Sequence, residues 1–298
     1  MRLTSPQSGF MAAEAGLVLA WSSGFIGGAL AAETGVIFTV LFWRFVLTTA
    51  LLLPASGSQL KTLSLKQWIS QALIGGLAMF GYLATMIAAI DLGVPAGTAA
   101  LIAALQPLAT AALAGLVLGE TVTSKQWTGL VVGFVGVGVT VTGDSSAAPA
   151  AGYALALASM VCIVAATLVS KAAHQSVAVK PALAIQSAVS MLLFMPLAAA
   201  TGGLQPQLSA TFWYAVSWFV LLSTLAAYGL YWTVLANTSV TRVSSLIYLT
   251  PPVTALWAWL MFGQPITLPA LLGFALSLSG VWLARERRTL RSAHSVQQ

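Results

Sequence analysis

The feature that most constrains this chain is a succession of ten apolar runs, each about 20 residues long, separated by short connections holding Gly, Pro, Ser, Asp and Lys. Twenty residues of helix at a rise of about 1.5 Å cross a hydrocarbon core of about 30 Å. In lipid the backbone must satisfy its own hydrogen bonds, so runs of this length read as helices. They fall near 11–32, 36–55, 67–90, 95–118, 126–143, 150–172, 180–201, 211–236, 240–262 and 267–284. Only 6% of residues are charged, against about 25% in soluble domains. No stretch outside the runs is long enough for a soluble domain, and the basic tail 286–298 is short. The expected fold is an all-α membrane protein, one domain over 1–298.

The first run ends in ALAA, Ala29 to Ala32, which imitates a secretory cleavage site. Glu14 interrupts the would-be signal core and the run is long enough to span, so it is expected to stay as the first helix.

Lysine and arginine stay on the cytoplasmic side during insertion. Arg2, Lys61, Lys66, Lys125, Lys171, Lys180, Arg242, Arg285, Arg287, Arg288 and Arg291 all fall at even-numbered connections or at the tails. Glu33, Asp91 and Asp144 mark the opposite side. Both termini are therefore expected to be cytoplasmic, in a multi-pass membrane protein. The bases are scattered singly despite a net charge of +6, which argues against nucleic acid. One cation is left at membrane depth: Arg44, inside TVLFWRFVLTTALLLP.

The chain repeats itself at a spacing of about 144 residues. PLATAALAGLVLGETVTSKQWTGLVVGFVGV, from Pro107, overlays PPVTALWAWLMFGQPITLPALLGFALSLSGV, from Pro251, without gaps. Small changes of offset bring Arg44 to Gln186, Pro54 to Pro196, Tyr82 to Tyr228 and Asp91 to Asn237. The unit is five helices, over 8–145 and 149–285. An odd number of spans makes the second copy enter the membrane from the other side, so the two five-helix repeats are expected to be inverted. That architecture suits alternating access to a central site.

The same residues resemble the EamA family of the drug/metabolite transporter superfamily. The resemblance is carried by WSSGF at Trp21 to Phe25, WRF at Trp43 to Phe45, AALIAALQPLATAALAGLVLGE at Ala99 to Glu120, and the Gly129 to Gly136 spacing. It covers nearly the whole chain and implies ten helices in two repeats. It also implies transport of small metabolites, often export of amino acids or toxic compounds, by bacterial inner-membrane proteins. The Trp- and Tyr-rich second half looks most like exporters of aromatic amino acids. Small multidrug members of the superfamily exchange a proton through an acidic residue of the first helix, which makes Glu14 the coupling candidate, although it lies nearer the cytoplasmic end than the midplane.

Two polar stripes at helical spacing, Gln71, Ala78, Tyr82, Thr85 and Ser217, Thr224, Tyr228, Tyr231, are expected to face the bundle interior. They could bind substrate or join helices. Thr241, Ser244, Tyr248 and Pro251 share a face of the ninth run. Pro107 and Pro251 each remove a backbone donor and are expected to bend their helices. The substrate-binding candidates are Trp21, Ser22, Arg44, Tyr82, Gln106, Gln186, Tyr228, Ser244 and Tyr248. Arg44 would hold a substrate carboxylate or shape the field of the cavity, or else be satisfied internally by Glu14 and by carbonyls freed at bent helices. Trp68, Trp127 and Trp213, near run ends, suit the membrane interface. Gly129, Gly133 and Gly136 allow close helix approach within the chain, with a homodimer contact as the alternative to a monomer.

Competing classes lack their chemistry. Cys162 is the single cysteine, so no disulfide framework or cysteine metal site is expected. His174 and His294 lie outside the runs, leaving an intramembrane enzyme without a base or metal cluster. A phosphate-cradling GxxxxGK[ST] loop is missing from the sequence, so no cofactor is expected and energy is expected to come from gradients or from another subunit. The expected function is secondary export of amino acids, aromatic ones among them, and related metabolites; the alternative is efflux of toxic cations or drugs on the same fold.

Overall fold

The structure, a computed structural model, describes residues 6–110, 113, 123–142, 148–173, 177–237 and 246–284. The described helices are α1 (Pro6–Ala32), α2 (Ile37–Ala55), α3 (Leu65–Asp91), α4 (Ala96–Thr110), α5 (Ser124–Thr142), α6 (Ala150–Ala173), α7 (Val179–Thr201), α8 (210–237), α9 (Thr250–Phe262) and α10 (Leu268–Ala284). A single helical turn at Gly57–Leu60 follows α2. Among the described residues, six helices are long and apolar enough to cross a membrane: α1, α2, α3, α6, α7 and α8. α4 and α10 are apolar but shorter. The runs expected at 95–118 and 240–262 continue into positions outside the described residues.

Local chemistry sets several helix starts. Ser64 Oγ accepts from the Gln67 amide at 3.3 Å, while Gln67 Oε1 accepts from the Ser64 amide at 2.9 Å, closing a capping box at the head of α3. Thr123 and Gln126 repeat the device at α5. Past α9, Gly263 adopts φ 64°, the left-handed conformation that glycine takes without penalty.

The packing pairs the two halves of the chain. α5 packs on α10, α2 on α7 and α4 on α9, while α1 packs on α8 and α3 on α6. α1 is innermost, also touching α3, α4 and α9. The α5–α10 seam is built on small residues. A Cβ on Gly136 would lie 2.6 Å from the Gly273 carbonyl oxygen, and one on Gly280 would lie 2.5 Å from that of Gly129. Ser277 Oγ donates to the Gly133 carbonyl at 3.0 Å. Gly273 and Gly280 are the repeat mates of Gly129 and Gly136, so the seam is self-complementary: each glycine meets the mate of the other. The glycine series thus serves contact within one chain. Outward faces carry exposed Leu51, Leu73, Leu221, Leu260 and Trp282, apolar groups suited to lipid. Trp68 and Trp127 are exposed as well, whereas Trp213 is partly buried, edge-on to Trp43 at 5.8 Å.

Two segments depart from α geometry. Gly75–Gly81 in α3 and Phe219–Ala226 in α8 are π-helical. An extra residue per turn rotates the faces before and after it by about 100°. This corrects one expected stripe: Thr224 is buried and Tyr228 partly so, but Ser217, on the far side of the π segment, is exposed.

Candidate functional site

The helices enclose a cavity of about 610 Å³, within the size range of small-molecule sites. α1 supplies Trp21, Gly24 and Phe25, at the i, i+3, i+4 spacing of one helix face. α3 contributes Tyr82, Met79 and Met86; α8 contributes Ser223, Tyr228 and Tyr231; Tyr248 comes from the turn before α9 and Thr250 from its first position. On α6 the lining runs from Ile163 to Ser170, in the last turns before Ala173, so the cavity extends toward that end of the bundle. At the opposite end Leu30, Ile90, Val94 and Ala96 are packed out of reach, each at most 5% exposed.

Arg44 of α2 reaches this cavity and is only 6% exposed. Its Nη2 donates to Thr224 Oγ1 at 3.2 Å. Thr224 in turn donates to the Phe219 carbonyl five residues back, a bond that the π turn makes available. The guanidinium carbon lies 4.7 Å from the Phe219 ring centroid and 5.1 Å from that of Phe45. Nε and Nη1 make no hydrogen bond among the described residues. The partners of Arg44 are thus a threonine and two rings rather than Glu14, and two of its donor atoms are buried without a hydrogen-bond partner among the described residues.

Gln186 occupies the matching place on α7. Its Nε2 donates to Gln71 Oε1 at 2.7 Å, and Ser190 Oγ donates to the Gln186 carbonyl at 2.8 Å and to that of Gly75 at 3.3 Å. On α2, Thr48 donates to the Arg44 carbonyl at 2.8 Å in the same manner. Each polar residue therefore leans on the π segment of the other half, Arg44 on that of α8 and Gln186 on that of α3.

Trp21 stacks at an angle on Tyr228 and Tyr231, with centroids 6.1 and 5.7 Å apart. Gln106 lines the cavity beside Pro107 and donates to Thr167 Oγ1 at 3.4 Å. Helical geometry gives way to a turn at Leu105, two residues before Pro107, and again at Tyr248 and Leu249, just before Pro251. Pro251 itself is buried and stands in the first turn of α9.

Of the sequence candidates, Trp21, Arg44, Tyr82, Gln106, Gln186, Tyr228 and Tyr248 meet at this one cavity. Ser22 does not: it is fully buried on another face of α1, about 100° around the helix from Trp21. Ser244 lies outside the described residues. Glu14 is off the cavity wall, two turns of α1 before Trp21, and is 7% exposed rather than open to the surface, because α1 runs through the middle of the bundle. Sequence reasoning missed Met79, Met86, Thr167, Ser170 and Ser223; isolated apolar and small polar residues in apolar runs carry no signal of their own.

A model of the EamA-like transporter family matches residues 8–142 and again 150–285. The chain belongs to that family. Its members are transporters, not enzymes, and this chain is accordingly a multi-pass membrane transporter. It is similar to a protein of Streptantibioticus cattleyicolor described as a "probable terminal-alkyne amino-acid exporter", with 30% identity over 211 residues, 67% of each chain. A solved crystal structure matches its fold at a TM-score of 0.64 and 18% identity, covering 93% of this chain and 97% of the other.

Proposed function

We propose that this EamA-like chain is a secondary transporter that exports amino acids, aromatic ones among them, and related small metabolites by alternating access, with Arg44 as the anchor for the substrate carboxylate. The observation that carries this reading is a buried guanidinium on the cavity wall with Nε and Nη1 uncommitted. A cation at membrane depth costs at least about 2.5–3.5 kcal/mol, and a carboxylate is the ligand that compensates it with paired, charge-assisted bonds. The apolar and aromatic remainder of the wall suits a hydrophobic side chain. The name of the Streptantibioticus relative, an amino-acid exporter, supports the same substrate class.

Alternating access follows from ten spans in two inverted repeats, 8–145 and 149–285, with a basic tail over 286–298. The self-complementary α5–α10 seam and the crossed packing of α1 on α8 and α3 on α6 support that symmetry. A cavity extending toward one end and closed at the other suits one state of such a cycle. Lys171, at the end toward which the cavity extends, supports a cytoplasmic-facing state, cytoplasmic termini and residence in a bacterial inner membrane. The chain works as a monomer. Glu14, buried in the innermost helix, is the coupling residue.

Substrate counterflow in proteoliposomes tests the proposal. Labelled phenylalanine or leucine is expected to accumulate against preloaded amino acid. If amino acids, carboxylates and quaternary amines all fail to exchange, the reading is wrong. Unchanged rates for Glu14→Gln with and without a pH gradient would remove Glu14 from coupling.

A further inference from the structure

We propose that the substrate this cavity favours is a net anion: a monocarboxylate with an apolar or aromatic tail and no free ammonium group, such as an N-acylated amino acid or an aryl carboxylic acid, in preference to the zwitterionic amino acid. The proposal rests on the reading of the cavity as the transport site and sharpens its substrate class.

The chain has six acidic residues: Glu14, Glu33, Asp91, Glu120, Asp144 and Glu286. The three that are described stand off the cavity wall. Glu120, Asp144 and Glu286 lie outside the described residues, two in connections between apolar runs and one in the tail. Among the described residues, then, Arg44 is the charge on the wall, and nothing of opposite sign faces it. A monoanion neutralises it: one carboxylate pairs with the guanidinium, and the filled cavity carries no net charge from the described residues and ligand together. A zwitterion brings the same carboxylate together with an ammonium group, which must also leave water. The filled site would then hold the guanidinium, the carboxylate and a second cation, a net charge of +1 in surroundings of low dielectric.

Among the described residues, the wall offers that ammonium only neutral partners. The faces of Trp21, Tyr228 and Tyr231 attract cations, and Gln106 and Thr167 supply oxygens. None carries the full negative charge by which a buried cation is normally compensated. Capping the amine as an amide removes the second charge, and the new carbonyl and N–H can pair with Gln106 or with the tyrosine hydroxyls. An amine without a carboxylate is worst placed, because it meets the guanidinium directly.

The test uses the full chain in proteoliposomes and three compounds of one skeleton at neutral pH: N-acetylphenylalanine, phenylalanine and phenylalanine amide. Each competes with labelled N-acetylphenylalanine in counterflow, with protein-free vesicles subtracted for passive leak. The concentration giving half-inhibition is expected to rise by about tenfold from the anion to the zwitterion, the ratio a modest uncompensated charge interaction commands, and to rise further for the cation. This ranking in the unmodified protein decides the matter without any variant. Arg44→Lys, which keeps the charge and loses the paired donors, is expected to weaken the anion most. Equal or better competition by phenylalanine overturns the anion preference while leaving amino-acid transport standing. Absence of exchange by all three, and by a broader amino-acid panel, overturns both.

Discussion

Arg44 and Gln186 are mates in a repeat, at corresponding places on paired helices, yet their surroundings differ in one decisive way. Gly75 opens the π segment that Gln186 leans on; Phe219 opens the one that Arg44 leans on. A Cβ on Gly75 would sit 2.7 Å from the Gln186 Cα, so α3 and α7 touch through their backbones. The Gln186 amide is therefore within reach of Gln71 and is committed to it. Opposite, the Phe219 ring packs against Gly27 of α1 and offers its face to the guanidinium, and part of Arg44 is without a hydrogen-bond partner among the described residues. One half uses its polar residue to join helices, and the other keeps its polar residue available to the cavity. A duplicated frame can diverge in function at a single wedge position without changing its helix pairing.

The largest effect should come from removing this asymmetry. Arg44→Gln copies the second half and is expected to cut transport of carboxylate substrates by about ten- to a hundredfold, the loss of a charge-assisted interaction of about 1.5–3 kcal/mol. Initial counterflow rates against concentration measure it. Gly75→Ala attacks the other side. The added methyl meets backbone rather than a movable side-chain tip, so a loss of about 1–3 kcal/mol in stability is expected, seen as earlier thermal unfolding in detergent. Thr224→Val removes the acceptor of Arg44 seen among the described residues and keeps its shape; about fivefold weaker substrate binding is expected from about 1 kcal/mol. Gln71→Ala deletes the partner of Gln186 at about 0.6 kcal/mol, with transport retained, and thermal unfolding beside counterflow checks both halves of that statement.

Much of this was legible in the sequence because it depends on local composition and period. The apolar runs gave the helices, the single intramembrane arginine gave the site its centre, and the spacing of Gly129, Gly133 and Gly136 marked a close seam. Neighbours decide what was illegible. The π segments arise where two helices must fit each other, and nothing in GGLAMFG or FVLLSTLA announces an extra residue per turn. That insertion turned Ser217 outward although it stands seven residues before Thr224. Ser22 shares a helix with Trp21 but faces away from the cavity, a distinction of about 100° that a motif such as WSSG does not encode. Glu14 looked superficial from its place near the start of a run; it is buried because α1 is the innermost helix.

The central claim is that Arg44, and not its mate, holds the ligand. A substrate that binds the folded state alone raises the unfolding temperature in proportion to its occupancy. Thermal unfolding of the purified transporter should be followed with and without a saturating carboxylate substrate, in the parent protein, in Gln71→Ala and in Arg44→Gln. If Arg44 holds the ligand, stabilisation is expected in the first two and its loss in the third. Equal stabilisation of Arg44→Gln would contradict it.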